Sequence, residues 1–239
     1  MTVTFPPGGR SSWGAAPGDG PLKVVLVDDH QLFSRGLELL LNTDPESKVR
    51  VLARTEDADK AVELVRHHRP DVAVIDLVMP PPGGLAAIAA VKRHYPQVRI
   101  LALSGNDEVS SAVEALRAGA DGFLLKSSDP DELVPPLIAL ASGLSVVPPA
   151  VLGALLETTA HVGPGVLDRL SSDELSLLRL VASGLESTEL AEQLYVSERT
   201  AKRMVASLLR RLEVSNRVQA AALAGRSGLL DGLPEPGSG

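Results

Sequence analysis

Between Leu22 and about Gly143, short apolar runs alternate with longer stretches of helical spacing. The runs VVLV, VRVLA, VAVI, RILAL and GFLL are too short for helices and rich in branched side chains, so each predicts a strand. The intervening segments carry apolar residues at helical intervals, as in Leu32, Phe33, Gly36, Leu37, Leu40 and Leu41. Five strands alternating with five helices predict an α/β domain, a doubly wound five-stranded parallel sheet covered on both faces. From Leu170 the strands stop, and helical periods over 172–184, 188–195, 198–212 and 215–225 predict a second, smaller all-α domain. Pro, Gly, Ser and Ala dominate residues 1–21, which predicts a disordered leader, and the chain ends in a similar disordered tail at 232–239. The segment 144–168 reads as a linker around a short helix at 150–158. The expected division is therefore a first domain at 22–143, this linker, and a second domain at 169–231.

Composition narrows the chemistry. The chain has 239 residues, room for two domains, and its 44 % hydrophobic content is enough for a packed core. There is no cysteine, so disulfides, thiolate zinc sites, iron-sulfur clusters and cysteine nucleophiles are excluded. No apolar run is long enough to span a bilayer and the N-terminus lacks a signal-peptide pattern, so the expected location is cytoplasmic, with no membrane contact. A net charge of −7 argues against a surface coated all over with nucleic acid. The charge is unevenly spread, however. Residues 197–217 contain Arg199, Lys202, Arg203, Arg210, Arg211 and Arg217 against only Glu198 and Glu213.

In an open parallel sheet, ligands bind beyond the carboxyl ends of the strands, where the strand order reverses. The residues there are Asp28 and Asp29 after the first run, Asp76 after the third, Ser104 after the fourth and Lys126 after the fifth. Carboxylates gathered within several ångströms repel by about 4 kcal/mol per pair, so the cluster calls for protons or a hard cation, of which Mg²⁺ fits best. Lys126 and Ser104 offer the point charge and hydroxyl that hold a phosphoryl group, and a carboxylate can itself accept one as an acyl phosphate. Taken singly, each residue also has a plain reading: Asp29 as a helix cap, Asp76 as loop polarity, Ser104 as a cap for the next helix, Lys126 as a solvated strand end. Their joint occurrence at the strand ends favours a site. The five histidines lack metal-ligand spacing and read as surface or helix-end residues.

In the helical domain, Ser187 to Leu194 and Glu198 to Leu212 form two short helices joined by Tyr195, Val196 and Ser197, with Ser197 as the cap of the second. Ala201, Val205, Leu208, Leu209 and Leu212 make a buried stripe, while Arg199, Lys202, Arg203, Ala206 and Arg210 lie opposite. This is a helix-turn-helix in outline; a plain helical hairpin with a solvated charged face is the alternative.

Residues 22 to about 143 resemble the receiver domain of bacterial two-component response regulators. The resemblance rests on Asp28-Asp29, the Asp76-Leu-Val-Met-Pro block, Ser104 and the Gly119-Ala-Asp-Gly-Phe-Leu-Leu-Lys126 block. Residues 170 to about 230 resemble the LuxR-type (NarL/FixJ-type) DNA-binding domain through Leu170-Ser-Ser-Asp-Glu-Leu, Glu189-Leu-Ala-Glu, Val196-Ser-Glu-Arg-Thr and Asn216-Arg-Val-Gln-Ala-Ala. The resemblance implies a flavodoxin-like receiver in which a sensor histidine kinase phosphorylates Asp76. It implies that Asp28, Asp29, Asp76 and the carbonyl of Val78 bind Mg²⁺, and that Ser104 and Phe123 move together on phosphorylation while Lys126 holds the phosphate. On double-stranded DNA it puts Lys202, Arg203 and Ala206 at the groove, with Ser197, Arg199 and Thr200 at the start of the same helix and Arg210, Arg211 and Arg217 on phosphates. A homodimer on DNA and contact with RNA polymerase complete the implied partners. The chain departs from the family at Pro80-Pro81-Pro82, at Ser127 after the lysine, and at Thr200-Ala-Lys-Arg-Met204. The expected function is a phosphorylation-controlled transcription regulator and not an enzyme. Its rivals are a receiver that works by dimerisation or ligand binding without phosphate, and a Mg²⁺-dependent phosphohydrolase, which would want an acid where Val78 stands.

Overall fold

The computed structural model describes residues 20–43, 48–105, 108–126, 130–158 and 167–230, with the side chains of 130, 131 and 156–158 left aside. The five apolar runs are strands: β1 (Leu22–Val27), β2 (Val49–Thr55), β3 (Val72–Asp76), β4 (Arg99–Ser104) and β5 (Gly122–Leu125). They form one parallel sheet in the order β2-β1-β3-β4-β5. Between and after them run α1 (Gln31–Thr43), α2 (Ala61–His68), α3 (Gly83–His94), α4 (Val109–Ala118) and α5 (Val134–Ala141). The chain leaves β1 to one side to make β2 and returns to the other side to make β3, so the crevice of reversal lies between the carboxyl ends of β1 and β3.

Period-two alternation sorts the strand side chains into two cores. Val25, Val27, Ala73, Ile75, Ile100 and Ala102 face the buried sides of α2, α3 and α4. Val24, Leu26, Val72, Val74, Leu101 and Leu103 face α1 and α5. The apolar set expected on α1 divides: Leu37 and Leu41 are buried and Phe33 packs against them, whereas Leu32 is 89 % exposed and Leu40 39 %. Leu32 lies five residues from Leu37, about 140° of helical rotation, and so cannot share its face.

The second domain is all-helical: α7 (Ser172–Ala182), α8 (Ser187–Gln193), α9 (Glu198–Arg211) and α10 (Arg217–Arg226) around a core of Leu177, Leu178, Leu190, Val205, Leu208 and Leu223. Between the domains, α6 (Pro149–Thr158) is the short helix expected in the linker. It is no free tether, because Val151 and Leu155 are buried in the same core cluster as α3 and α4. Upstream of α6, the carbonyl of Val146 accepts from the amide of Phe123 at 2.9 Å, at the edge of the sheet. None of the described helices is long and apolar enough to cross a membrane. The leader up to residue 19 and the tail from 231 lie outside the described residues.

Candidate functional site

The carboxyl ends of β1, β3 and β5 bring Asp28, Asp29, Asp76 and Lys126 together. Asp76 is the last residue of β3 and 1 % exposed, and Asp28 follows β1 at 4 %. Lys126 reaches over from the end of β5, with its Nζ 2.7 Å from Asp76 Oδ2, and 3.0 and 2.9 Å from the two oxygens of Asp28. The Val78 amide donates to Asp76 Oδ1 at 3.1 Å, which fixes the carboxylate plane, and the Val78 side chain itself points outward, the residue 60 % exposed. Burial pushes the Asp76 carboxyl above its ordinary value and Asp28 adds to the rise, with Lys126 and the Val78 amide opposing it.

One lysine cannot neutralise three carboxylates. Neither Asp28 Oδ2 nor Asp29 Oδ1 has a hydrogen bond, although Lys126 lies 2.9 Å from the first and His30 Nδ1 3.0 Å from the second. Asp28, Asp29, His30 and Asp76 each offer a ligand atom, all within 4.8 Å of one another, a set that could hold a cation.

Ser104, the last residue of β4, is 1 % exposed and pairs in the ladder beside Leu125, and the Lys126 amide donates to its carbonyl at 2.8 Å. Phe123 on β5 is 3 % exposed and turned into the core. Asn106, Asp107 and the bond from Lys126 to Ser127 lie outside the described residues.

Three residues at the site carried no functional reading in the sequence. His30 was expected to be a surface residue; its side chain is 59 % exposed, yet its Nδ1 lies within 3.4 Å of Asp28, Asp29 and Asp76 and 3.3 Å from Lys126 Nζ. Its position next to the paired aspartates was the available signal. Phe33, expected as part of the α1 stripe, places its ring 5.1 Å from Lys126 Nζ, a cation–π contact that holds the ammonium over the carboxylates. Gly84 lets the start of α3 approach the strand end: a Cβ there would stand 1.9 Å from the Asp76 carbonyl oxygen, so no other residue fits. Of the remaining histidines, His67, His68 and His94 end α2 and α3 as expected, and His161 lies outside the described residues.

The helix-turn-helix is α8, a turn and α9. Ser197 caps α9, its Oγ accepting from the Thr200 amide at 3.2 Å and lying 2.9 Å from the Thr200 hydroxyl. Ala201, Val205, Leu208, Leu209 and Leu212 are all buried, as their spacing requires. Arg199, Arg203 and Arg210 are exposed, Lys202 and Ala206 half-buried. Lys202 is held by Glu198 at 2.7 Å, one turn back. Two of the six basic residues do not lie on this open face. Arg211 bonds Glu174 Oε1 at 2.6 Å and the Arg169 carbonyl at 2.8 Å, tying α9 to the start of α7. Arg217 begins α10 and is 5 % exposed, its guanidinium bonded to Leu185 O and Ser187 Oγ beside α8.

Comparison with known proteins gives two family matches: residues 24–137 match the "Response regulator receiver domain" and residues 168–224 the "Bacterial regulatory proteins, luxR family". The chain is 37 % identical over 210 residues to the probable transcriptional regulatory protein NarL of Mycobacterium tuberculosis, covering 88 % of this chain and 96 % of that one. It is 32 % identical over 219 residues to the transcriptional regulatory protein DegU of Brevibacillus brevis, covering 84 % and 92 %. Among solved structures, a LuxR-family two-component response regulator from Aurantimonas superposes with a TM-score of 0.52 at 32 % identity, over 59 % of this chain and all of that one.

Proposed function

Since the chain belongs to the LuxR-type two-component response regulators, a family of phosphorylation-dependent, DNA-binding regulators of transcription, we propose that Asp76 is its phosphoacceptor and α9 its DNA reader. The observation that carries the first half is the bridge of Lys126 across Asp28 and Asp76 beside the unsatisfied oxygens of Asp28 and Asp29. Asp28, Asp29, Asp76 and the Val78 carbonyl would hold Mg²⁺, whose charge offsets that of an incoming phosphoryl group.

This chain's own groups do the rest. Asp76 Oδ1 is pinned by the Val78 amide, so its carboxylate is oriented before the phosphodonor arrives. An oxygen of Asp76 forms the new bond to phosphorus as the donor's bond breaks, giving an acyl phosphate. Lys126 then moves its contacts from the carboxylates to the phosphoryl oxygens, with Ser104 at the end of β4 as a second donor. The donor would be a phosphohistidine of a sensor kinase. Val78 carries no group able to orient water, so the side chain two residues after the acceptor does not assist hydrolysis and the phosphoryl form is long-lived.

The second half rests on the open face of α9. Lys202, Arg203 and Ala206 would meet base edges, Ser197, Arg199 and Thr200 the groove entrance, and Arg210 the phosphates. A solved structure described as two RcsB dimers bound to two parallel DNAs, TM-score 0.50 at 28 % identity over 86 % of this chain, supports a homodimer on DNA here. The cytoplasm is the fitting location, and RNA polymerase the fitting further partner. The decisive experiment is incubation of the full chain with Mg²⁺ and a small phosphodonor. A single base-labile phosphate that disappears in Asp76→Asn is expected; normal labelling of that variant would overturn the assignment.

A further inference from the structure

His30 belongs to the carboxyl-end cluster by geometry, yet it has no part in the phosphoryl chemistry proposed above. Its backbone fixes it there: the His30 amide donates to Asp28 Oδ1 at 2.8 Å, and its carbonyl accepts from the Ser34 amide at 3.0 Å. The residue is thus held between the end of β1 and the first turn of α1. From that seat its Nδ1 lies 3.0 Å from Asp29 Oδ1, 3.4 Å from Asp28 Oδ1 and 3.4 Å from Asp76 Oδ2.

The neighbours of that nitrogen decide its state. Lys126 Nζ lies 3.3 Å from Nδ1, and an ammonium can only donate, so Nδ1 presents its lone pair and Nε2 carries the ring proton. Asp29 Oδ1 is nearer but makes no hydrogen bond. Two lone pairs at that distance repel unless a cation lies between them. The ammonium of Lys126 already stands at the meeting point, 2.7 Å from Asp76 Oδ2 and 3.0 and 2.9 Å from the two oxygens of Asp28.

The spacing is that of ligands on one ion. With metal bonds of about 2.1 Å, two ligand atoms stand about 3.0 Å apart at a right angle and about 3.4 Å apart at the tetrahedral angle. All three separations from His30 Nδ1 fall on these values. The ligand atoms of Asp28, Asp29, His30 and Asp76 lie within 4.8 Å of one another, so only the wider carboxylate side has to draw in. An imidazole beside carboxylates suits Zn²⁺ and its neighbours, whereas Mg²⁺ keeps to oxygen. The His30 ring is 59 % exposed, so an ion reaches the cluster past it from solvent.

We infer that His30 supplies a nitrogen ligand through which the acidic site takes a divalent ion of the Zn²⁺ class as well as Mg²⁺, and that the ion held this way opposes phosphorylation. Two features point to opposition. The Val78 amide occupies Asp76 Oδ1, which leaves Oδ2 to attack phosphorus, and Oδ2 is the oxygen that His30 faces. Four protein ligands also close a tetrahedral site, whereas an ion held by oxygens and water keeps positions open for a phosphoryl group. The opposition rests on the reading of Asp76 as phosphoacceptor; the nitrogen ligand does not.

The full chain, without phosphodonor, is titrated with Zn²⁺ while the histidine ring nitrogens are followed by long-range proton–nitrogen NMR. The His30 Nδ1 resonance should move from the position of a free lone-pair nitrogen to that of a metal-bound one. His67 and His68, whose rings stand 4.9 Å apart at the end of α2, are the rival place for the ion. A shift confined to them overturns the inference, and the double variant His67→Ala, His68→Ala should leave the His30 shift in place. By calorimetry, His30→Gln should lower the ratio of Zn²⁺ to Mg²⁺ affinity by roughly tenfold or more. An unchanged ratio overturns the nitrogen ligand. With Mg²⁺ and a small phosphodonor both present, added Zn²⁺ should slow labelling of the unaltered chain, and slow it much less in His30→Gln. If Zn²⁺ binds His30 without slowing labelling, the ligand stands and the opposition falls. Should Asp76→Asn label normally, the phosphoacceptor reading fails instead, and the Nδ1 shift still reports the ion.

Discussion

The two ends of the receiver sheet carry opposite charge imbalances. At the carboxyl end, Asp28, Asp29 and Asp76 share Lys126, an excess of negative charge that solvent can reach through Asp29 and His30. At the amino end, Lys92, Arg99 and Arg217 share Asp121, an excess of positive charge sealed under the second domain. The difference teaches how to read a buried charge. An excess of negative charge left open to solvent is the mark of a ligand, because a cation can correct it. An imbalance enclosed by protein corrects nothing and instead sets how firmly the enclosing parts adhere.

The sharpest way to break this contrast is the same change at both ends. Asp76→Asn should abolish phosphate labelling completely, while urea unfolding of the receiver stays as it was or improves, since the ionised carboxylate is disfavoured where it lies. Asp121→Asn should do the reverse: it leaves Lys92 and Arg99 buried with no anion, and about 3–5 kcal/mol of stability should be lost. Comparable stability losses in the two variants would erase the distinction between the ends.

Acid sharpens it further. The raised carboxyl of Asp76 takes up its proton above the ordinary range as pH falls, so labelling should decline first. Burial would raise Asp121 too, but Lys92, Arg99 and the Ile100 amide outweigh it and hold its carboxyl below 3.8, so its stabilisation is present above 3.8 and lost only as pH falls through that lowered value. Parallel titrations of labelling rate and melting temperature should therefore separate, labelling failing at the higher pH.

Smaller effects are expected on α9. Arg203→Ala should narrow the gap between specific and random DNA by about 1–3 kcal/mol. Arg210→Ala should weaken both alike and lower the salt slope by roughly one per subunit. Titrations at several salt concentrations check both, and parallel losses for Arg203→Ala would make this helix a backbone clamp. The smallest effect concerns the outward side chain of Val78: Val78→Asn should shorten the life of the phosphoryl form, read as phosphate released over time.

Much of this was legible in the chain because it is set by local rules. The five strands follow from the apolar runs, and Asp28, Asp76, Ser104 and Lys126 converge because parallel topology sends every strand end to one rim. The stripe on α9 and the cap at Ser197 follow from spacing alone. His30 was legible only through its place beside the paired aspartates, and Phe33 not at all as a site residue, since only the packed positions of α1 and Lys126 decide where its ring points. Least legible was Arg217. A basic residue at the start of a helix reads as exposed, and nothing in its local sequence announces that Gly143 of the first domain comes close to it.

The burial of Val151 and Leu155 bears on where this protein can be divided. Composition changes near Gly143 and the receiver match ends at residue 137, yet the packed unit runs on through α6. A receiver cut off after Gly143 would leave open the apolar wall of α4 that α6 covers, and invite self-association there. One that retains α6 should stay dispersed. The packed receiver core thus takes in part of what joins it to its neighbour, so recombining such domains among regulators should mean exchanging the joint along with the module.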